Sequence, residues 1–204
     1  IQILYPLTFA PLLKEVILGG QAIRPFKGLE PDEKKIGESC EISHVDDNYS
    51  VVAEGELAGK SLDELIQTYG ERLVGKSVLE RFGRRFPLLI KFIDARDYLS
   101  IQVHPDDALG MARHNSFGKT EMWYVISATP GAKLYSGFAV QSSPEDYVRR
   151  IEEGTIVEAL AEYEVRPGDV FFLPAGRVHA IGAGCFIAEI QQTSNITYRI
   201  YDYD

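Results

Sequence analysis

The sequence predicts a mainly β fold, a compact antiparallel barrel or sandwich with helical interruptions. Three observations predict it. Short runs rich in β-branched and aromatic residues recur along the 204 residues, among them LLIKFIDA, EMWYVISA and CFIAEIQQ. Gly, Pro, Asp and Asn separate these runs at the close spacing of sandwich and barrel strands. Two stretches carry helix signals, one opening at Ser61 and one at Ser143.

In chain order, the first strand-like run is SVVAEGEL. SLDELIQTYGERLVGKSVLERFG follows from Ser61, with Leu62, Leu65, Ile66, Tyr69 and Leu73 at helical spacing and Ser61 and Glu64 arranged as a capping box. This predicts one helix and a helical insertion at about 59–85. LLIKFIDA is the next strand. In YLSIQVHP, Leu99, Ile101 and Val103 alternate with Ser100, Gln102 and His104, so the polar set is expected to face the interior and the apolar set to pack outward on another layer. In EMWYVISA, Glu121, Trp123 and Val125 share one face. AKLYSGF is a strand, and SSPEDYVRRIEEG is a helix capped by Ser143, begun by Pro144 and stopped by Gly154. A turn at Pro167 and Gly168 leads into DVFFLPA, and a second turn at PAG delivers His179 to the next strand. CFIAEIQQ and ITYRIYDY are the last two strands. In ITYRIYDY, Arg199 shares a face with Thr197, Tyr201 and Tyr203, where it either stacks on tyrosine or reaches a substrate.

Composition narrows the function classes. Thirty acidic and 21 basic residues give a formal charge of −9, which disfavours nucleic acid and anionic membranes as partners. A hydrophobic content of 45% suffices for the core of one sizeable domain. Cys40 and Cys185 lie far apart, which suggests neither a disulfide framework nor a Cys-rich zinc site and points to a reducing cytoplasm. FPLLIKFI, broken by Lys91, is far short of the ~20 apolar residues of a membrane span. The first stretch lacks the basic start and small-residue cleavage site of a signal peptide.

Gln102, His104, Glu121 and His179 together offer nitrogen and oxygen donors from three strands. Imidazole with carboxylate suits zinc or another divalent first-row metal, and a mixed set leaves room for water or substrate, which is the pattern of a catalytic site. His44 and His114 lie beside loop-like residues and are read as surface or supporting groups. GKT at 118–120 imitates the end of a phosphate-binding loop, but the required upstream glycine is replaced by Arg113. Gly19 and Gly20 read as a turn.

Gly168, Pro174, Gly176 and His179 resemble the second cupin motif, and Gln102, His104 and Glu121 resemble the first, stretched by a loop insertion. This resemblance implies a cupin jelly-roll barrel. FPLLIKFIDARDYLSIQVHPDD, GKTEMWYVI, GDVFFLPAGRVHAIGAG and EIQQTSNITYRIYDYD together resemble the type I mannose-6-phosphate isomerases (phosphomannose isomerases), in their short form. IGESCEIS and the helix after Ser61 fit the same family.

That resemblance implies one zinc ion per chain on Gln102, His104, Glu121 and His179. It also implies a hexose phosphate substrate and interconversion of mannose 6-phosphate with fructose 6-phosphate through an enediol. Arg199 would be the catalytic arginine, Lys119 and Arg199 would meet substrate oxygens or phosphate, Ser100 would line the substrate site and Glu189 would transfer the proton. Leu18 and Cys40 stand where the family usually carries Trp. Short members of the family continue past YDYD into a smaller β domain, so the resemblance implies that residues 1–204 are the catalytic domain without it. The alternatives are a noncatalytic sugar-binding or regulatory cupin and a metal-dependent cupin dioxygenase. Lys119, two residues before the ligand glutamate, and TSNITYR favour a sugar phosphate.

Overall fold

In the computed structural model, residues 4–45 and 48–203 are described. Two antiparallel sheets face each other. The larger runs from edge to edge as Val170–Leu173, Glu121–Ala128, Cys185–Gln192, Leu88–Ala95, Ile36–Ile42 and Leu12–Glu15. The smaller runs as Leu160–Glu164, Lys133–Phe138, His179–Ile181, Ile101–Val103 and Tyr198–Tyr201. With two further short strand pairs, the chain is mainly β, as the sequence predicts.

Alternation decides what lies between the sheets. Trp123, Val125, Ile187 and Ile93 from the larger sheet meet Leu134 and Ile181 from the smaller in one buried cluster. The outer face of the smaller sheet buries Ile101, Tyr135 and Ala180 under Ile156, Leu160 and the helix Pro144–Glu152, which contributes Tyr147 and Ile151. That helix has the predicted Ser143 cap, which accepts from the Asp146 N–H at 3.1 Å. Burying a large aliphatic side chain stabilises the fold by ~1.5–3 kcal/mol, so these layers hold the strand registers firmly.

Those registers set the polar rungs. Glu121 stands opposite Gln191 and Leu173, and Glu189 stands between Trp123 and Lys91. On the smaller sheet, Ser136, His179, Gln102 and Arg199 follow one another across neighbouring strands.

Several expectations are corrected. The helix predicted from Ser61 is three short ones, Leu62–Tyr69, Glu71–Val74 and Lys76–Phe82. Gly70 and Gly75 take φ of 48° and 85°, which a helix cannot continue through. The capping box is present, with Glu64 N–H on Ser61 Oγ at 3.1 Å and Ser61 N–H on Glu64 Oε2 at 2.9 Å. SVVAEGEL pairs only at Val51–Val52. Leu99 precedes its strand and packs with the inter-sheet cluster, whereas Ile101 packs outward as predicted. The strands Leu12–Glu15, Ile36–Ile42 and Leu160–Glu164 and the helix Asp107–His114 were not predicted.

Candidate active site

Three strand ends bring the site together. His104 leaves the strand Ile101–Val103, Glu121 opens its own strand, and His179 opens the strand that pairs it with Gln102. All three side chains are buried, and a ligand atom from each lies within 4.8 Å of the others. His179 Nε2 stands 3.1 Å from His104 Nε2 and 3.0 Å from Glu121 Oε1, and His104 Nε2 stands 3.6 Å from Glu121 Oε2.

The hydrogen bonds decide which atoms face inward. His179 Nδ1 lies 2.8 Å from the Arg177 carbonyl, which can only accept. Nδ1 therefore carries the proton, and Nε2 turns a lone pair toward His104 and Glu121. A backbone carbonyl that orients the far nitrogen in this way is a common support for a metal-binding histidine. His104 Nδ1 and both Glu121 oxygens are buried without a hydrogen-bond partner. The Glu121 oxygens converge with the Nε2 atoms of His104 and His179, and lone pairs gathered there away from water are costly for the protein alone, which a divalent cation would resolve.

The protonation states agree with that fit. Burial pulls His104 down to about 4, so its imidazole is neutral near pH 7. Burial alone would raise Glu121, but the close imidazole nitrogens of His104 and His179 and the nearby Lys119 ammonium outweigh it and hold the carboxylate well below its ordinary range.

Beside this cluster a cavity of about 510 Å³ opens between the sheets. Gln102, Lys119, Lys91, Glu189, Ser100 and Arg199 are among its polar walls, and Val16, Ile17, Leu18, Leu99 and Ile181 among its apolar ones. Its volume suits a small polar ligand. Lys119 is buried, with Nζ 3.9 Å from Glu121 Oε2, and burial lowers its affinity for a proton. Lys91 is committed otherwise, 3.2 Å from Glu189 Oε1 and 3.7 Å from Glu38 Oε2. Glu189 Oε2 also accepts from the Trp123 indole N–H at 2.8 Å.

The structure thus gathers Ser100, Gln102, Lys119, Glu189 and Arg199 around one cavity, next to His104, Glu121 and His179. Arg199 is the most exposed of these, and its Nη1 lies 3.5 Å from Asp202 Oδ2. The predicted alternation around Arg199 fails at a register shift between Arg199 and Tyr201, after which Ile200 and Tyr201 both pack with the outer cluster. Among the described residues the cation–ring contacts belong to Lys27, Arg72, Arg81 and Arg85, so the stacking alternative for Arg199 is not realised.

Lys91, Glu38 and the Trp123 indole were not singled out as site residues. The signal available was the lysine interrupting FPLLIKFI, in phase with the inward Leu89 and Ile93. Of the positions where the family usually has Trp, Leu18 lines the cavity and Cys40 belongs to a small core cluster. His44 is buried and structural, 3.0 Å from Asp63 Oδ1 and accepting the Phe86 N–H at 2.9 Å, whereas His114 is exposed and lies 2.7 Å from the Tyr198 hydroxyl. Gly118, Lys119 and Thr120 lead into a strand, not the helix a phosphate-binding loop requires.

Two facing antiparallel sheets with a buried His–Glu–His cluster at the head of a polar cavity define a cupin with a candidate metal site. The family described as "Phosphomannose isomerase type I, catalytic domain" matches residues 14–167. The chain belongs to that family. It is 39% identical over 201 residues to the probable mannose-6-phosphate isomerase GmuF of Bacillus subtilis and 40% identical over 199 residues to the mannose-6-phosphate isomerase of Streptococcus mutans. Each alignment covers 98% of this chain, and 62% and 61% of the respective relative. The chain therefore spans about three fifths of the length of these relatives. The solved mannose 6-phosphate isomerase from Bacillus subtilis superposes with a TM-score of 0.87 at 37% identity, covering 98% of this chain and 62% of that one. A structure from Archaeoglobus fulgidus, described as a putative mannosephosphate isomerase, gives 0.82 at 27% identity over 97% of this chain and 65% of its own. The residues matched to the family end before His179, Glu189 and Arg199, which the longer alignments include.

Proposed function

We propose that residues 1–204 are a catalytic domain, with a helical insertion at about 59–85, of an aldose–ketose isomerase that interconverts mannose 6-phosphate and fructose 6-phosphate. The reaction moves a proton between C1 and C2 through an enediol. The observation that carries this reading is the convergence of buried ligand atoms from His104, Glu121 and His179 within 4.8 Å of one another, beside a cavity whose walls hold both cations and a carboxylate. Their relatives' names support the substrate.

Gln102, His104, Glu121 and His179 would hold one zinc ion, which when bound supplies a Lewis acid for developing oxyanion charge. Lys119 offers a buried ammonium to a substrate oxygen, and a Glu121 carboxylate engaged elsewhere would free it to do so. Arg199 stands at the exposed side of the cavity, where its fork grips phosphate or a substrate oxygen. Ser100 contributes a hydroxyl to the substrate. Glu189 Oε2 is held by Trp123, so Oε1, which faces the Lys91 ammonium at 3.2 Å, would be the atom for proton transfer between C1 and C2. Val16, Ile17 and Leu18 form an apolar wall at one side of the cavity.

Among the described residues no helix is long and apolar enough to cross a membrane. The net charge of −9 disfavours nucleic acid and anionic membranes as partners, and two well-separated cysteines fit a reducing cytoplasm, where the enzyme would act on a small sugar phosphate. The test is a coupled assay with mannose 6-phosphate before chelation, after it, and after zinc is restored. Turnover that disappears and returns with zinc is expected. A folded, zinc-loaded chain with no turnover on any hexose phosphate would make it a sugar-binding module, and metal-dependent oxygen uptake would make it a dioxygenase.

A further inference from the structure

Lys119 lies in a segment without regular structure, between the helix Asp107–His114 and the strand that opens at Glu121. Even so, three successive backbone N–H groups there are each tied to a different partner. Gly118 N–H donates to Asp107 Oδ1 at 2.9 Å, Lys119 N–H to the Pro105 carbonyl at 2.9 Å, and Thr120 N–H to Gln192 Oε1 at 2.8 Å. The two side chains are also joined to each other, since Gln192 Nε2 donates to the same Asp107 Oδ1 at 3.0 Å. The Gln192 backbone N–H closes the ring on the Thr120 carbonyl at 3.0 Å.

The Asp107 carboxylate is not needed by its own helix. Asp106 is the cap, accepting the Leu109 N–H at 2.8 Å. Gly118 presses on the same turn so closely that a Cβ there would lie 2.5 Å from the Asp107 nitrogen. Pro105, Asp106 and Asp107 follow His104 directly, so this ring ties the exit from one cluster histidine to the segment that carries Lys119.

We infer that Asp107 and Gln192 form a clamp that positions the Lys119 ammonium in the cavity. Neither side chain belongs to the donor cluster or lines the cavity, so both are positioning residues. The inference rests on the isomerase reading for what Lys119 does, and deepens it by naming what holds Lys119 in place. A backbone displacement of about 1 Å at a remote support can cost ~10²-fold in turnover.

The test uses the zinc-loaded chain and the variants Asp107→Ala, Asp107→Asn, Gln192→Ala and the double alanine variant. Asp107→Ala and Gln192→Ala should lower kcat by ~10- to 100-fold while bound zinc stays at the parent's stoichiometry. Asp107→Asn keeps an oxygen that accepts from both Gly118 and Gln192, and should recover most of the loss. The double variant should fall within a few-fold of the worse single one, because one clamp is broken only once. Amide hydrogen exchange at 118–120 should accelerate in the alanine variants and stay parent-like in Asp107→Asn. Parent-like kcat in Asp107→Ala, or zinc lost in step with activity, would overturn the positioning role. A parent chain without isomerase turnover would sink the functional reading alone. The exchange measurement then decides the clamp, supported by acceleration in Asp107→Ala and refuted by an unchanged rate.

Discussion

Replacing Lys91 by Met removes the ammonium between two carboxylates in the cavity wall and leaves a side chain of similar reach. Lys91 Nζ lies 3.2 Å from Glu189 Oε1 and 3.7 Å from Glu38 Oε2, with side-chain exposures of 13% for Lys91, 4% for Glu189 and 27% for Glu38. Burial disfavours the ammonium, but the charges of Glu189 and Glu38 outweigh it and hold Lys91 above its ordinary value. Its contribution is therefore complete at neutral pH and is lost only as pH rises through that raised value. Glu38 works in the opposite sense. Burial pushes it up, Lys91 and Lys14 pull it further down, and its contribution is lost as pH falls through the lowered value. In Lys91→Met the Trp123 indole still serves Glu189 Oε2, but among the described residues Glu189 loses its ion-pair partner and keeps only the more distant charge of Lys119. Breaking a buried pair costs about 3–5 kcal/mol, and solvent at Glu38 moderates this toward the lower end. For a chain of this size about 3 kcal/mol corresponds to a fall of ~6–12 °C in Tm. Urea unfolding at pH 7 of the chelated parent, Lys91→Met, Glu189→Gln and the double variant measures it. The double variant should regain at least half of the loss, since the stranded charge is gone. A single variant within 1 kcal/mol of the parent, or a double variant less stable than Lys91→Met, would refute the reasoning.

Three other outcomes are expected. His179→Ala should lower zinc occupancy more than Gln102→Ala, because an amide oxygen is a weaker ligand than imidazole for a borderline metal, and elemental analysis of the purified variants reads it. Arg199→Ala should keep zinc and fold but lose ~10²- to 10³-fold in turnover, with little recovered by Arg199→Lys, and turnover within a few-fold of the parent would leave Arg199 structural. The chelated protein should lose stability as pH falls from 6.5 to about 4, because the unfolded His104 takes up a proton in that window and the buried one does not. The loss is ~3 kcal/mol, and a urea midpoint that stays flat across the window would contradict it.

Much of the larger sheet is legible in the sequence. LLIKFIDA, EMWYVISA and CFIAEIQQ coincide with the strands Leu88–Ala95, Glu121–Ala128 and Cys185–Gln192, because each combines β-branched or aromatic residues with turn-forming flanks. Ile36–Ile42 is not legible in the same way, since Gly37, Glu38 and Ser39 are poor strand formers. They are extended because Leu12–Glu15 and Leu88–Ala95 pair with them on both sides. The helix Asp107–His114 hides behind Gly110, which is buried where a Cβ would meet the Phe117 carbonyl oxygen at 2.8 Å. Arg199 illustrates the limit of period two, as one register shift turns Ile200 and Tyr201 toward the same cluster.

Taken alone, the sequence determined the faces of the central strands, the caps at Ser61 and Ser143 and the residue types able to hold a metal, all of which follow from side-chain chemistry and the two-residue or 3.6-residue period of a local backbone. It placed Glu121 and His179 on strands and His104 at the end of one. Only the tertiary structure decided that two imidazole nitrogens 75 positions apart in the chain meet at 3.1 Å, that the Arg177 carbonyl selects which His179 nitrogen faces them, and that Lys91 is taken by Glu189 and Glu38 while Lys119 is left near Glu121. Both lysines are inward groups on the same large sheet or its margin, and nothing local distinguishes them. Their difference is electrostatic, set by which carboxylates the strand registers bring alongside in a setting that water cannot screen.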